Sequence, residues 1–335
     1  MAKRMSIQNY HRDLISGARR GAIASLLRGG LAAVEPFYAA VTTLRNRFYE
    51  DGTLRVHSAA KPVISVGNIT TGGTGKTPIV RWMTEKFLAA GLQPAILIRG
   101  YKGGDEQRML QSQLPPVLIE ANADRVAGAT LALKKNPQID LFVLDDGFQH
   151  RRLHRDFDLV LVDASNPYGF DHVLPRGLLR EPAEGLMRAD AYLVTHAEMA
   201  PSQTITIQKR LSQFGKSVFR CRHVPSNASE LSGKKVFIFC GIGNPAAFDR
   251  LIESAGAIRA GSHWFDDHHQ YTHANLAMIR DRAKSLDAKM LVTTQKDAVK
   301  LPKNDLPIFV VDLAIQFEGD DEQRLLAEIF AAVKK

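Results

Sequence analysis

From residue 61 onward, the chain alternates short apolar stretches with stretches of helical periodicity. The apolar stretches between residues 61 and 196 are KPVISVGNI (61–69), PAILIRG (94–100), IDLFVLDD (139–146), FDLVLVDAS (157–165) and DAYLVTH (190–196). Each has the length of a strand, and an unbroken apolar run is typical of a strand covered on both faces. The pattern therefore predicts an α/β fold with a parallel sheet flanked by helices.

A second, shorter series of the same kind follows a polar connector over residues 225–235. Its predicted elements are strands over 235–243, 289–295 and 306–313, a helix from Pro245 and a closing helix from about Asp321. We therefore expect an N-terminal helical segment over 1–50, a larger domain over 51–224 and a smaller α/β domain over 225–335. We expect the last helix to pack back on the larger domain.

The sequence TTGGTGKTP (70–78) lies between the first predicted strand and a helix predicted over 76–90. A phosphate site needs small residues whose backbone N–H groups can turn inward, a helix N-terminus and a lysine. The residues that would form the turn, supply the charge and offer a hydroxyl to Mg²⁺ are Gly72, Gly73, Thr74, Gly75, Lys76 and Thr77. Thr70 stands where the usual signature has its first glycine. A glycine-rich turn without a ligand is therefore the alternative.

An acidic strand end supports the nucleotide interpretation. The stretch LFVLDD ends in Asp145 and Asp146. In phosphoryl-transfer proteins with such a loop, an aspartate helps to hold the Mg²⁺ that bridges the phosphates. An Asp-Asp-Gly sequence alone is often only a turn, but here it lies in the same predicted sheet as the glycine loop. Together the two elements predict a nucleoside triphosphate site in a fold of the P-loop NTPase type.

The first fifty residues are basic and amphipathic, with eight lysines and arginines against three acidic residues. The apolar residues at spacings of one helical face are Ile23, Leu26, Leu27, Leu31 and Val34. Arg28 and Glu35 interrupt this run, which favours a helix lying in a membrane interface over one that spans the bilayer. The alternative is a basic helix packed on the protein's own core. Gly29-Gly30 weakens the helix, so the segment can divide into two shorter helices there.

Charge and cysteine content narrow the function classes. The formal net charge of +9 favours an acidic partner: nucleic acid, an anionic membrane surface or a phosphorylated substrate. Cys221 and Cys240 are the only cysteines and have no C-x-x-C spacing. They argue against a disulfide scaffold or a zinc site and fit a reducing cytoplasm. We expect neither a spanning helix nor a signal peptide.

Six segments together resemble the tetraacyldisaccharide 4'-kinase family, the lipid A 4'-kinases. They are SVGNITTGGTGKTP (65–78), LIRGY (97–101), LDDGFQHRRL (144–153), LPRGLLREP (174–182), FCGIGNPAAF (239–248) and TTQKDAVKL (293–301). In this family the loop does without the extra glycine, which explains Thr70. The resemblance implies a P-loop domain joined through a hinge to a smaller α/β domain, with the active site between them.

The resemblance also implies the reaction. A member of this family transfers the γ-phosphate of ATP, with Mg²⁺, to the 4'-hydroxyl of a tetraacyldisaccharide 1-phosphate. It works at the cytoplasmic face of the inner membrane in a Gram-negative type of cell, where the N-terminal helix would be a peripheral contact. No nucleic acid and no obligatory protein partner is expected.

The family's site residues map onto this sequence by motif. Asp105, in GGDEQ, corresponds to the base, and His268, in FDDHHQY, to its supporting histidine. Without the resemblance, Asp105 would be a solvated loop carboxylate. His268 and its neighbouring histidines could suggest a metal cluster, but two adjacent histidines do not easily ligate one tetrahedral ion, so a role beside Asp105 is favoured. Arg125, Arg180 and Glu181 match positions near the nucleotide, although such arginines are often surface ion pairs. Thr77, Asp145 and Asp146 correspond to the Mg²⁺ site.

Two other function classes make different predictions. A regulatory P-loop NTPase or metallochaperone would carry an N-K-x-D element or a metal-binding Cys/His pair, whereas TTQKDA has its Lys and Asp adjacent. A nucleic-acid-binding protein would interleave basic and aromatic residues on an exposed face. Here the clearest basic run lies beside an apolar helical stripe. Both classes fit the sequence less well than a lipid kinase.

Overall fold

A computed structural model of the chain describes residues 7–100, 104–197, 200–243, 245–267 and 269–334. The described residues form two compact units. Unit 1 comprises the chain up to Arg99, Val117–Arg222 and the chain from Phe317 onward, and unit 2 comprises Gly100–Pro116 and His223–Gln316. The segment 100–116 thus leaves unit 1 and belongs to unit 2.

The strands are β1 (Val63–Asn68), β2 (Pro94–Ile98), β3 (Leu118–Ala121), β4 (Leu141–Asp145), β5 (Phe157–Asp163), β6 (Ala191–Thr195), β7 (Ser217–Pro225), β8 (Lys235–Cys240), β9 (Ile258–Trp264), β10 (Met290–Thr294), β11 (Ile308–Val311) and β12 (Leu313–Phe317). The helices are α1 (Ile7–Ile15), α2 (Ala22–Glu50), α3 (Lys76–Ala89), α4 (Asp105–Gln113), α5 (Arg125–Lys135), α6 (Pro201–Ser212), α7 (Pro245–Ser254), α8 (His273–Ser285), α9 (Gln295–Ala298) and α10 (Asp321–Val333).

The larger sheet has the strand order β12-β7-β6-β5-β1-β4-β2-β3. The pairs from β7 to β3 are parallel, and every residue of β1, β2, β4 and β6 is buried. The predicted α/β fold with a parallel sheet is confirmed. Because β1 and β4 are neighbours, their carboxyl ends bring the glycine loop and the Asp-Asp pair to the same edge of the sheet.

The smaller sheet, in unit 2, has the order β11-β10-β8-β9, and all its pairs are parallel. Alternate residues of β8 point to opposite faces. Val236 and Ile238 pack with α7, whereas Phe237 and Phe239 pack with α8. The motif TTQKDAVKL covers the end of β10, all of α9 and the residues directly after it, and its Asp297 and Lys300 form a fully buried ion pair at 3.0 Å. The smaller sheet is therefore covered by helices on both faces.

The sequence pattern did not predict four of the strands, because none of them is an unbroken apolar run. Strand β3 has four residues, and β7 alternates buried with partly exposed positions. Residues of β9 are exposed or half-buried throughout, and those of β12 are half-buried or exposed. These strands lie at or next to the edges of their sheets, where only part of each strand must be apolar.

Helix α2 is continuous through Gly29, Gly30 and Pro36. A division at Gly29-Gly30 is therefore wrong, and the break lies between α1 and α2, where Gly17 and Gly21 have φ values of 77° and 108°. A glycine weakens a helix by about 1 kcal/mol but interrupts it only where the backbone needs a positive φ or loses its packing.

Two faces of α2 have opposite character. Tyr38 and Ala39 pack against the apolar core of unit 1. The outer face carries an exposed apolar stripe, which we call the α2 stripe: Ile23, Leu26, Leu27, Val34, Phe37, Val41, Leu44 and Phe48. Exposure along this stripe ranges from 36% at Phe48 to 76% at Leu26. Within the described ranges, no helix has the length and hydropathy to cross a membrane.

Helix α10 belongs to unit 1 and packs against α3. Glu322 accepts a hydrogen bond from Trp82 Nε1 at 3.0 Å and pairs with Lys86 at 2.8 Å. The rings of Phe87 and Phe330 meet edge to face with centroids 5.5 Å apart. The end of the chain thus covers the helix that begins at the glycine loop.

The close approach of Gly67 in β1 to Phe148 can be tested by substitution. A Cβ at Gly67 would lie 2.6 Å from the Cβ and 2.7 Å from the backbone nitrogen of Phe148, distances that force the backbone to move. We expect Gly67→Ala to lower the free energy of unfolding by about 1–3 kcal/mol, measured by urea denaturation. The control is Gly30→Ala in α2, where the added Cβ meets open space. It should raise stability by up to about 1 kcal/mol. Equal stability of Gly67→Ala and the wild type would contradict this account.

Candidate active site

The glycine loop leaves the N-terminus of α3 open. Gly75, the residue before α3, has φ of 80°, and Gly72 has φ of 126°, so both need the freedom of glycine. A Cβ added at Gly72 or Gly73 would meet nothing within 4 Å. No side chain of the described residues caps α3. The first N–H groups of this helix are thus available to an anionic ligand.

Thr70 occupies its position because the backbone there is extended. It is buried and forms an antiparallel bridge with Leu179. On either side of this bridge, the Arg180 nitrogen donates to the Ile69 carbonyl at 2.8 Å and the Thr71 nitrogen to the Leu178 carbonyl at 2.7 Å. A β-branched residue suits such a bridge better than glycine. The bridge also fixes Arg180 beside the loop.

Lys76 and Arg180 share the carboxylate of Asp146. Lys76 Nζ lies 3.4 Å from Asp146 Oδ1 and donates to Asn68 Oδ1 at 3.1 Å. Arg180 Nη1 donates to both carboxylate oxygens of Asp146 at 2.9 Å. Asp146 has φ of 55°, in the left-handed region, which costs energy for a residue with a side chain. The turn after β4 therefore directs this carboxylate toward the loop lysine.

The charges around Asp146 keep it ionised. Burial acts to raise the pKa of this carboxyl, but the charges of Lys76 and Arg180 outweigh burial and lower the pKa below its usual value. A carboxylate whose pKa is lowered stabilises the fold above the ordinary carboxyl pKa, and that stabilisation is lost as the pH falls through the lowered value. At neutral pH Asp146 is an anion held between two cations.

Other predicted nucleotide and metal residues lie in the same region. Asp145 is the buried last residue of β4, and Thr77 is the second residue of α3. Thr74 is buried, and its carbonyl accepts a hydrogen bond from Thr195 at 3.2 Å. Thr77, Asp145 and Asp146 offer only oxygen donors, the type that Mg²⁺ prefers. The chemistry of this donor set therefore fits a nucleotide-bound Mg²⁺.

Gln149 and Asn68 complete the site, and sequence reasoning did not single them out. Gln149 Nε2 donates to the Asn68 carbonyl at 2.9 Å, and its Oε1 accepts from Arg180 Nη1 at 3.2 Å. Because Asn68 also binds Lys76, hydrogen bonds and ion pairs form a closed ring through Lys76, Asn68, Gln149, Arg180 and Asp146. Both residues lie in motifs of the sequence, VGNI and DDGFQH. The available signal was a polar residue at the end of β1 for Asn68, and one in the turn that follows β4 for Gln149.

Glu181 and Arg125 are both buried, and their contacts are with protein groups. The Glu181 carboxylate pairs with Arg188 Nη2 at 2.8 and 2.9 Å and accepts from Asn46 Nδ2 at 2.6 Å. Arg125 is the first residue of α5 and donates to the carbonyls of Asn122 and Ala123, each at 3.1 Å. Glu181 thus joins the ring of polar contacts through a hydrogen bond from Gln149 Nε2 at 3.0 Å, whereas Arg125 anchors the start of α5.

The predicted base lies in unit 2. Asp105 begins α4, directly after Gly104 with φ of 62°. The side chain of Gln113 at the other end of α4 is hydrogen-bonded to that of Gln295 in α9, within the same unit. His268 lies outside the described residues, so its partnership with Asp105 stays a prediction.

The family model described as "Tetraacyldisaccharide-1-P 4'-kinase" (LpxK) matches residues 27–333, most of the chain. The chain belongs to the tetraacyldisaccharide 4'-kinase family. It is 38% identical over 307 residues to the tetraacyldisaccharide 4'-kinase of Desulfotalea psychrophila, a match that covers 81% of this chain and 88% of the relative. The Bdellovibrio bacteriovorus enzyme of the same name is 34% identical over 305 residues, covering 82% and 90%.

A solved structure of the same family has the same fold. The crystal structure of LpxK from Aquifex aeolicus in complex with ATP superposes with a TM-score of 0.75 at 28% identity, and the match covers 92% of this chain and 99% of that one. The resemblance found in the six sequence motifs is confirmed. As a tetraacyldisaccharide 4'-kinase family member, this chain is a kinase of lipid A biosynthesis.

His150, in the DDGFQH motif of this family member, should make the fold sensitive to acid. Burial, with the nearby charge of Arg125, lowers the pKa of His150 from its usual 6.5 to about 4. The unfolded chain therefore binds a proton below about pH 6.5 that the folded chain refuses until about pH 4. We expect the free energy of unfolding to decrease between pH 6.5 and 4, and to decrease less in His150→Gln. Urea titrations at pH 7.5, 6 and 5 measure this.

The two proteins should show parallel stability curves above pH 7, where His150 is neutral in both the folded and the unfolded state. Identical slopes for the wild type and His150→Gln below pH 6.5 would contradict the assignment.

Proposed function

We propose that this chain binds ATP with Mg²⁺ at residues 72–77 and transfers the γ-phosphate to the 4'-hydroxyl of a tetraacyldisaccharide 1-phosphate. The observation that carries the proposal is the open glycine loop at α3, with Lys76 beside an Asp146 carboxylate that Arg180 holds. Family membership supports the acceptor, and the ATP in the Aquifex aeolicus structure supports the donor.

The residues of unit 1 would bind and orient the triphosphate. The N–H groups of Gly72, Gly73, Thr74 and Gly75 would donate hydrogen bonds to phosphate oxygens, and Lys76 would exchange part of its contact with Asp146 for the β- and γ-phosphates. Thr77, Asp145 and Asp146 would hold Mg²⁺. When bound, this ion would neutralise part of the negative charge of the triphosphate.

Positive side chains would stabilise the charge that develops during transfer. Arg180 already lies beside Asp146, and its guanidinium is about one quarter exposed. Arg125 would contribute positive charge at the start of α5. Glu181, the residue after Arg180, would belong to the same nucleotide-binding region. Preorganised cations of this kind lower the barrier because they need no rearrangement as charge builds up.

The acceptor hydroxyl has a high pKa and benefits from a base. Asp105 would take the proton of the 4'-hydroxyl while the sugar oxygen forms its bond to the γ-phosphorus. The bond from that phosphorus to the β–γ bridging oxygen breaks, and ADP leaves. His268 would support Asp105 by polarising it or sharing the proton. The basis for these two roles is the sequence context, GGDEQ and FDDHHQY.

The α2 stripe would place the enzyme on the cytoplasmic face of the inner membrane. Its apolar side chains are exposed along the length of a 29-residue helix. Basic residues near an anionic leaflet each add about 1 kcal/mol of attraction. Peripheral docking suits the reaction, because the acyl chains of the acceptor remain in the bilayer while its sugar hydroxyl is phosphorylated.

A labelled-phosphate assay tests the kinase proposal. Wild-type protein with Mg²⁺ and γ-labelled ATP should label a tetraacyldisaccharide 1-phosphate in detergent micelles. Lys76→Ala should lower kcat/KM by about a hundredfold or more, because the lysine is the positive charge that the loop contributes to the phosphates. Asp105→Ala should lower kcat strongly while leaving the affinity for ATP unchanged.

The outcomes separate the parts of the proposal. No transfer by the wild type would refute it, and chelation of Mg²⁺ should abolish transfer. Retained activity in Asp105→Ala would leave the kinase standing and remove the proposed base.

A sedimentation assay with vesicles containing an anionic phospholipid tests the docking proposal. Phe37 and Val41 are 74% and 66% exposed on the α2 stripe. The double variant Phe37→Ser/Val41→Ser should bind vesicles about tenfold or more weakly, because two apolar side chains no longer enter the interface. The matched control is Ile205→Ser, an exposed apolar residue on α6 at 57% exposure. Equal binding by the double variant and this control would contradict the proposal.

A further inference from the structure

We propose that α2 is a positioning element of the phosphate site, acting through Asn46 and Tyr38, in addition to facing the membrane. This inference rests on the proposed function and concerns the face of α2 opposite to the stripe. Asn46 Nδ2 donates to Glu181 Oε2 at 2.6 Å, and Tyr38 Oη donates to the Arg180 carbonyl at 3.0 Å. Helix α2 thus holds two consecutive residues, Arg180 and Glu181.

Glu181 transmits the position of Asn46 into the site. Its carboxylate is about 2% exposed, and a buried charge must be paired to be stable. Besides Asn46, its partners are Arg188 and Gln149, the latter at 3.0 Å from Gln149 Nε2 to Glu181 Oε1. A side chain so fully engaged cannot move without changing the position of Gln149.

Gln149 connects this buried group to the residues that would contact phosphate. Its Oε1 accepts from Arg180 at 3.2 Å, and its Nε2 also donates to the backbone carbonyl of Asn68, whose side-chain Oδ1 accepts from Lys76. Arg180 in turn holds Asp146. The path from α2 to Lys76 therefore consists of direct hydrogen bonds and ion pairs within unit 1.

Contacts from α2 also hold the backbone at Arg180 and Gln149. Tyr38 fixes the carbonyl of Arg180, while the amide of Arg180 pairs with Ile69 at the entrance to the glycine loop. Arg45, one residue before Asn46, donates to the carbonyl of Gln149 at 2.8 Å. Both the backbone and the side chains around Asp146 are thus held by direct contacts from Tyr38, Arg45 and Asn46 of α2.

This arrangement predicts a chemical effect distinct from helix stability. A misplacement of about 1 Å at a phosphoryl-transfer site can cost on the order of a hundredfold in rate. Loss of the Asn46 contact should therefore lower the turnover with ATP by more than a variant elsewhere in α2 that lowers the melting temperature equally. It should leave vesicle binding unchanged, because the stripe is intact.

The matched control is Glu35, on the same inner face about three turns before Asn46. Glu35 accepts hydrogen bonds from His172 and Arg176 at 3.0 and 3.2 Å, and its side chain is 17% exposed. Its contacts seat α2 on the 172–176 segment rather than on the residues around Asp146. Glu35→Ala therefore removes a contact of α2 with the rest of unit 1, while the links of Tyr38, Arg45 and Asn46 to the site stay in place.

The experiment compares wild type, Asn46→Ala, Tyr38→Phe and Glu35→Ala in three measurements. These are kcat and KM for MgATP in micelles at saturating lipid acceptor, affinity for a non-hydrolysable ATP analogue without acceptor, and melting temperature. Asn46→Ala should lower kcat/KM for ATP by about tenfold or more, and Tyr38→Phe by a smaller factor in the same direction. Glu35→Ala should lower the melting temperature comparably to Asn46→Ala while keeping kcat/KM within about twofold of wild type.

The failures are distinguishable. Wild-type protein that neither binds the ATP analogue nor transfers phosphate would refute the proposed function and this inference together. Active wild type with equal kcat/KM in Asn46→Ala and Glu35→Ala would refute this inference alone. Tyr38→Phe, which removes one hydroxyl, keeps the test decisive if Asn46→Ala does not fold.

Discussion

The carboxylate of Asp146, shared by Lys76 and Arg180, is the interaction on which the rest of the site depends. A carboxylate between two cations is stable only if the surrounding backbone fixes all three groups. Three features do this: the left-handed turn at Asp146, the close approach of Gly67 to Phe148, and the β-bridge between Thr70 and Leu179. Alone, the left-handed turn at Asp146 costs energy, and neither of the other two features would fix all three charged groups. Together they present the loop lysine in a fixed position beside an open helix N-terminus.

The parallel sheet explains why these groups meet. Strands β1 and β4 are neighbours, so the glycine loop after β1 and the Asp-Asp pair after β4 leave the sheet at the same edge. The segment that carries Arg180 is joined to that edge by its bridge with the residues after β1. The site is therefore a consequence of strand order, and its chemistry comes from the side chains that the order brings together.

Helix α2 joins two environments. One face packs on unit 1 and contacts residues next to the phosphate loop, and the other exposes an apolar stripe. A helix with these two faces would link the proposed docking at a membrane surface to the geometry of a buried polar network, since neither face can rotate without the other. The continuity of α2 through Gly29, Gly30 and Pro36 is consistent with that role, because its inner contacts offset the weakness of those residues.

Local pattern in the sequence was sufficient for the central strands, the glycine loop and the acidic strand end, because each is encoded within a short run of neighbouring residues. Six such motifs together indicated the family. Strands β3, β7, β9 and β12 were missed because an edge or half-covered strand needs no apolar run. The break before α2 was misplaced because helix weakness is local, whereas the packing that overrides it is not. Asn68 and Gln149 gained their meaning only in the folded chain, as did the contact of Asn46 with Glu181. Asn46 and Glu181 are 135 positions apart in sequence, and only tertiary structure decides whether two such groups are close enough to share a hydrogen bond.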